Sequence, residues 1–160
     1  MLEATNEAET DVFAAALAAR AVAGTLLALD GELGAGKTRF AKSFAAALGV
    51  PGIVNSPTFT IIKEYEADRL PFYHMDVYRL SLAEADELGL DEYFLGEGVT
   101  LVEWASLIEP LLPPQRLHLK LEITGPASRR FHGFPIGSIY RQWCEDLGMT
   151  PYKSGEVEPG

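Results

Sequence analysis

Cysteine is nearly absent: Cys144 stands alone, and the histidines number only three, His74, His118 and His132. A lone cysteine excludes an internal disulfide and a multi-cysteine metal centre, and the histidines lie too far apart in sequence for a paired metal-ligand motif. Basic residues are scarce too. Lys and Arg total 13 against 23 Asp and Glu, a formal net charge of −10 over 160 residues. A chain this acidic repels a phosphate backbone, so a direct grip on nucleic acid is not expected. Long apolar runs are also missing. The most apolar early segment, Val12 to Ala23, is broken by Arg20 and falls far short of the roughly 20 residues that span a bilayer. Met1-Leu2-Glu3-Ala4 puts no basic stretch ahead of an apolar one, so no secretory signal and no membrane partner are expected, and the expected location is cytoplasmic. Neither an internal repeat nor a low-complexity block is present.

Hydrophobic residues make up 48% and aromatics 10%, enough for the core of one compact domain. Val12, Ala16, Ala19 and Ala23 recur near helical spacing and predict a helix over Thr10 to Ala23, closed by Gly24. Thr25 to Asp30 is a short apolar run of strand length. Lys37 to Leu48 returns to helical periodicity and stops at Gly49, with Pro51 just beyond. Gly49 to Pro57 reads as a loop. Thr58 to Tyr65 and Leu70 to Val77 are rich in strand formers, and the short Ala67-Asp68-Arg69 link predicts an antiparallel pair, since it is too short for a parallel crossover. Ser81 to Gly89 predicts an acidic surface helix with a capping box formed by Ser81 and Glu84. Thr100 to Glu103 and Leu117 to Thr124 read as further strands. After Gly125 the composition shifts to Gly, Pro and Ser clusters with one helix-like piece near Ser138 to Asp146. The expected division is a catalytic domain over residues 1–125 and an extension over 126–160 that is partly flexible, above all at Ser154 to Gly160.

The decisive string is Gly31-Glu32-Leu33-Gly34-Ala35-Gly36-Lys37-Thr38, which fits G-x-x-x-x-G-K-[ST]. Glycines let the backbone approach an anion, and the N–H groups of Leu33, Gly34, Ala35 and Gly36 form a concave nest at the positive end of the following helix. Lys37 then reaches the β- and γ-phosphates of ATP, and the Thr38 hydroxyl is a ligand for Mg2+. An apolar strand before the string and a periodic helix after it supply the context the pattern requires. The spacing does not fit G-x-G-x-x-G, which disfavours a dinucleotide site.

A P-loop enzyme needs a second carboxylate on the metal side. Leu101-Val102-Glu103 supplies one at the end of a strand, the alternative being an ordinary surface carboxylate. Asp76, near the end of Tyr73-His74-Met75-Asp76-Val77, is a candidate for positioning the attacking water or holding a metal-bound water, or else a turn or cap residue before the next helix. Asn55 to Thr60 is a polar loop in which Thr58 either faces the metal and γ-phosphate or simply enters a strand. From Glu64 to Glu103 there are 11 acids and two arginines, Arg69 and Arg79. Such a run is a solvated face or a surface for a basic partner.

These pieces in this order resemble the TsaE family, formerly YjeE, the P-loop ATPases of bacterial tRNA threonylcarbamoyladenosine synthesis. The resemblance runs from about Glu7 to Arg130. It rests on GELGAGKT at Gly31, NSPTFT at Asn55, FYHMDVYRL at Phe72, ELGLDEYF at Glu87 and LVEW at Leu101. Glu32 stands where the family pattern has Asp, which keeps the charge. The resemblance implies a single-domain α/β P-loop fold with a mixed central sheet flanked by helices. It implies ATP and ADP as nucleotides, Mg2+ on Thr38 and Glu103, Asp76 needed for hydrolysis, and Thr58 in a switch-like loop. It also implies Thr10 at the adenine end, Arg129 or Arg130 on the nucleotide from the far side, and Trp104 on a partner-sensitive surface. The implied partners are TsaD and TsaB, with tRNA reached only indirectly. Two rivals remain at this level: a small-molecule P-loop kinase, and a nucleotide-gated binding module with negligible hydrolysis.

Overall fold

The computed structural model describes residues 1–52, 54 and 60–149. A seven-stranded sheet runs in the order β1-β7-β6-β2-β5-β4-β3. Its strands are β1 (Leu2–Ala4), β2 (Leu26–Gly31), β3 (Ile62–Tyr65), β4 (Phe72–Asp76), β5 (Val99–Glu103), β6 (Arg116–Ile123) and β7 (Arg129–Ile136). β2 lies parallel to both β5 and β6, and β4 lies parallel to β5. β3, β1 and β7 pair antiparallel with their neighbours. The expected mixed α/β sheet is thus present, and the short link after Tyr65 gives the antiparallel hairpin, with Ile62 opposite Met75.

Being central, β2 is buried on both faces and reads as an unbroken apolar run rather than an alternation. Leu27 and Leu29 face the layer made by α1 (Glu7–Arg20), α2 (Lys37–Leu48) and α5 (Ser138–Asp146). Phe13, Phe40 and Phe131 meet there with ring centroids 4.9–5.9 Å apart, and all three are buried. Leu26 and Ala28 face the opposite layer, where α3 (Leu82–Asp86), α4 (Asp91–Phe94) and a 3-10 segment (Ala105–Leu111) bring Ala85, Phe94 and Ile108.

Local chemistry sets the helix ends. α1 begins three residues before the expected Thr10, because the Asn6 side chain accepts from Glu9 N at 2.9 Å. It ends at Arg20, where the chain turns extended and Arg69 donates to the carbonyls of Ala18 and Ala21. α2 has the predicted bounds, closed by Gly49 in the left-handed region at φ 91°. The capping box of Ser81 and Glu84 is formed, although α3 is only one short turn.

The expected boundary at residue 125 does not divide the fold. β7 pairs with β6 from Arg129 to Ile136 and delivers Phe131 to the core. The Tyr140 hydroxyl accepts from Leu26 N at 3.0 Å, so α5 is fastened to the central strand. Gly133 and Pro135 disguised β7 as a loop. β1 pairs only with Arg129–Phe131, so Pro135 sits where β7 has no second neighbour to donate to. At Gly133 a Cβ would lie 2.8 Å from the Met149 methyl carbon, so a larger residue there would make the Met149 side chain shift. The tail from Ser154 to Gly160 lies outside the described residues, as does the loop containing Thr58. Among the described residues no helix is long and apolar enough to cross a membrane.

Phe131→Ala should destabilise the protein by about 3–5 kcal/mol in urea unfolding, the usual cost of emptying a buried phenylalanine site. A chain ended at residue 125 should lose its cooperative transition altogether. A cooperative transition from that shortened chain would show that β7 and α5 are dispensable.

Candidate functional site

Parallel pairing places the C-terminal ends of β2, β5 and β4 side by side, which is where open α/β sheets gather their ligands. Gly31, Glu103 and Asp76 therefore emerge along one edge, with Asp76 directly across from Glu103. The loop from Glu32 to Gly36 rises from that edge and opens α2. Two of its glycines are required by position. A Cβ on Gly31 would sit 2.6 Å from the Leu121 carbonyl oxygen, and Gly36 caps α2 with φ at 102°.

Lys37 folds back onto the loop, donating to the Gly31 carbonyl at 2.6 Å and the Glu32 carbonyl at 3.0 Å. Its Nζ lies 3.9 Å from the Trp104 ring centroid. Burial pushes the Lys37 ammonium down from its ordinary pKa, opposed by the carboxylates of Glu103, Asp30 and Asp76. Thr38 follows on the first turn of α2, and its hydroxyl donates to Glu103 Oε1 at 2.9 Å.

Glu103 is 2% exposed, so its other oxygen also needs a partner. His74 provides it, with Nε2 at 2.6 Å from Oε2. The His74 ring is fully buried and its Nδ1 has no partner. An Nε2–H tautomer meets both facts, because it donates to the carboxylate and leaves only a lone pair unmatched. His74 and Asp76, two residues apart on β4, share the face that looks toward α2. Asp76 Oδ1 accepts from Tyr78 N at 3.0 Å, which orients the carboxylate at the strand end.

The remaining expected residues divide clearly. Thr10, Ala35, Gly36 and Arg129 line one cleft beside the loop. Arg129 Nε donates to the Ala35 carbonyl at 2.8 Å, whereas Arg130 turns away to Glu3 and Glu122. Of the two arginines, only Arg129 therefore meets the loop. Leu33 is exposed at the loop crest, as is the Cβ position of Gly34, which meets nothing within 4 Å.

The reading from sequence overlooked His74, and with it Asp30, His118 and Ser106. For His74 the signal was its i, i+2 relation to Asp76 on a strand. Asp30 gave none, because it looked like the polar end of an apolar run.

Over most of its length the chain is similar to known proteins. A family model described as TsaE, threonylcarbamoyl adenosine biosynthesis protein, matches residues 4–131. The protein named tRNA threonylcarbamoyladenosine biosynthesis protein TsaE from Bacillus subtilis (strain 168) is 53% identical over 142 residues, covering 89% of each chain. Its namesake from Synechocystis sp. is 42% identical over 110 residues, covering 66% of this chain and 69% of that one. The crystal structure of YdiB from Bacillus subtilis superposes with a TM-score of 0.80 at 48% identity, covering 92% of each chain.

Replacing His74 with Ala should cost about 2–4 kcal/mol in urea unfolding, combining a small cavity with a buried carboxylate oxygen left unpaired. His74→Gln, which keeps a donor, should recover part of it. Equal losses in the two variants would mean that the bond to Glu103 contributes nothing to stability.

Proposed function

Because the chain belongs to the TsaE family of threonylcarbamoyl adenosine biosynthesis proteins, we propose that it is a Mg2+-dependent P-loop ATPase serving tRNA N6-threonylcarbamoyladenosine modification next to the anticodon. In this reading it converts ATP to ADP and phosphate, weakly alone and faster on its partners. The observation that carries the reading is the Thr38–Glu103 pair, 2.9 Å apart at the start of α2 and beside Lys37. A hydroxyl and a carboxylate are hard oxygen donors of the kind Mg2+ takes. Among the described residues no cluster of three or more His, Cys, Asp or Glu could hold a metal by itself. A Mg2+ on Thr38 and Glu103 would accordingly complete its shell with phosphate oxygens and water. When bound, it offsets the charge on the β- and γ-phosphates.

The chain's own residues supply the rest. The loop N–H groups and the start of α2 favour an anion. Lys37 can exchange its two carbonyl partners for phosphate oxygens, which make stronger charge-assisted bonds. His74 keeps Glu103 aimed at Thr38. Asp76, one strand over from Glu103 and held by the N–H of Tyr78 two residues on, is the group assigned to orient the attacking water and take its proton. Thr10 and Arg129 flank the cleft assigned to the adenosine end. Thr58 keeps its assignment to the metal or γ-phosphate from the family resemblance alone. TsaD and TsaB are the partners in this reading, with tRNA met only through them, in the cytoplasm. The exposed acids between Glu64 and Glu97 suit a basic docking surface.

Lys37→Ala should abolish tight Mg·ATP binding in calorimetry; binding equal to wild type would overturn the phosphate-loop assignment. Asp76→Ala and Glu103→Ala should bind better than Lys37→Ala, yet lose turnover by roughly a hundredfold or more. Phosphate release should rise when TsaD–TsaB is added to wild type and stay flat with Glu103→Ala. Transfer of the phosphoryl group to a metabolite, in place of free phosphate, would identify a kinase.

A further inference from the structure

Asp30 sits immediately before the phosphate loop, on the sheet face opposite α2, and is 7% exposed. Both of its carboxylate oxygens are engaged. His118 on β6 meets Oδ2 through Nε2. Ser106 donates its hydroxyl to Oδ1 at 2.8 Å, and its backbone N–H lies 3.2 Å from each oxygen. Burial pushes the Asp30 carboxyl up, but the hydrogen bond and charge of His118, with the Ser106 donors, outweigh it and hold the group below its ordinary pKa. Three donors thus converge on the two oxygens of Asp30 and hold the carboxylate in one orientation.

What Asp30 holds matters more. Ser106 lies two residues after Trp104, whose φ of 63° is unfavourable for a side chain with a Cβ. Such a conformation persists only where its surroundings over-determine it. Here hydrogen bonds bracket it: Trp104 N donates to the Leu29 carbonyl at 2.9 Å, and Ser106 N donates to Asp30. Both anchors belong to β2, the strand that becomes the phosphate loop. The turn so fastened follows Glu103 directly and lays the indole over Lys37, with the Tyr78 ring tilted against it at a centroid distance of 4.6 Å.

We propose that Asp30 is a positioning residue for the phosphate site: it ties the turn from Trp104 to Ser106 to the end of β2, so that the indole stays over Lys37 and Glu103 stays aimed at Thr38. The proposal rests on the hydrolysis reading only for the reaction being served. Its structural half stands on the ligand-free protein.

The test uses Ser106→Ala, a partly exposed site that should fold normally, with Asp30→Asn as a second variant and Ser106→Thr as the conservative rescue. Trp143 is buried at 5% exposure, so acrylamide quenching of ligand-free protein reports mainly on Trp104. Quenching should rise roughly twofold or more in Ser106→Ala and return in Ser106→Thr, as expected for one lost and restored hydrogen bond. The rise should vanish when Trp104→Phe is added. In steady-state assays kcat should fall roughly threefold to tenfold in Ser106→Ala, with the KM for ATP little changed. Unchanged quenching in both folded variants would overturn the proposal. So would a fall in kcat that Ser106→Thr does not restore. If wild type releases no phosphate, the hydrolysis reading fails and quenching alone decides the proposal.

Discussion

Lys37 lies under an indole and largely out of water, held by the Gly31 and Glu32 carbonyls, with the carboxylates of Glu103, Asp30 and Asp76 opposing the effect of burial. Removing a cation from water carries a penalty that nearby opposite charge and good hydrogen bonds must offset. Those carboxylates are buried as well, so each needs donors of its own. Glu103 has Thr38 and His74, Asp30 has Ser106 and His118, and Asp76 has Tyr78 N. The site thus gathers several buried polar clusters at one end of an apolar sheet, where the low dielectric strengthens each hydrogen bond.

Backbone pairing makes that arrangement possible. β2 runs between β5 and β6 in parallel, so the loop, Glu103 and Asp76 emerge together from three adjacent strand ends. The side chains then divide by strand alternation. Glu103, His74 and Asp76 look toward α2, while Asp30 and His118 look toward the 3-10 segment. One sheet edge therefore carries Glu103, His74 and Asp76 on one face and Asp30 with His118 on the other. The antiparallel wing adds a further tie, since Arg129 at the start of β7 holds the Ala35 carbonyl. Loop position consequently depends on residues almost a hundred positions away in sequence.

Much of this was legible in the chain. The phosphate loop declares itself because its chemistry demands glycines, lysine and threonine at fixed spacing within eight residues. α2, the β3–β4 hairpin and the Ser81 capping box are equally local, being decided by periodicity, link length and a three-residue reach. Glu103 and Asp76 stood out as acids at strand ends. β7 did not, because its Gly133 and Pro135 carry turn signals that only the missing neighbour and the nearby Met149 explain.

The sequence by itself determined the anion-binding loop, the class of fold and the family, since those follow from short-range spacing and from motifs in a fixed order. Tertiary structure decided which residues complete the site. That His74 clamps Glu103, that Arg129 rather than Arg130 meets the loop, and that Asp30 braces the turn bearing Trp104 all depend on strand register. The physical reason is that a buried polar atom takes whatever partner the neighbouring strand brings within about 3 Å. No periodicity along a single strand specifies which strand that neighbour is.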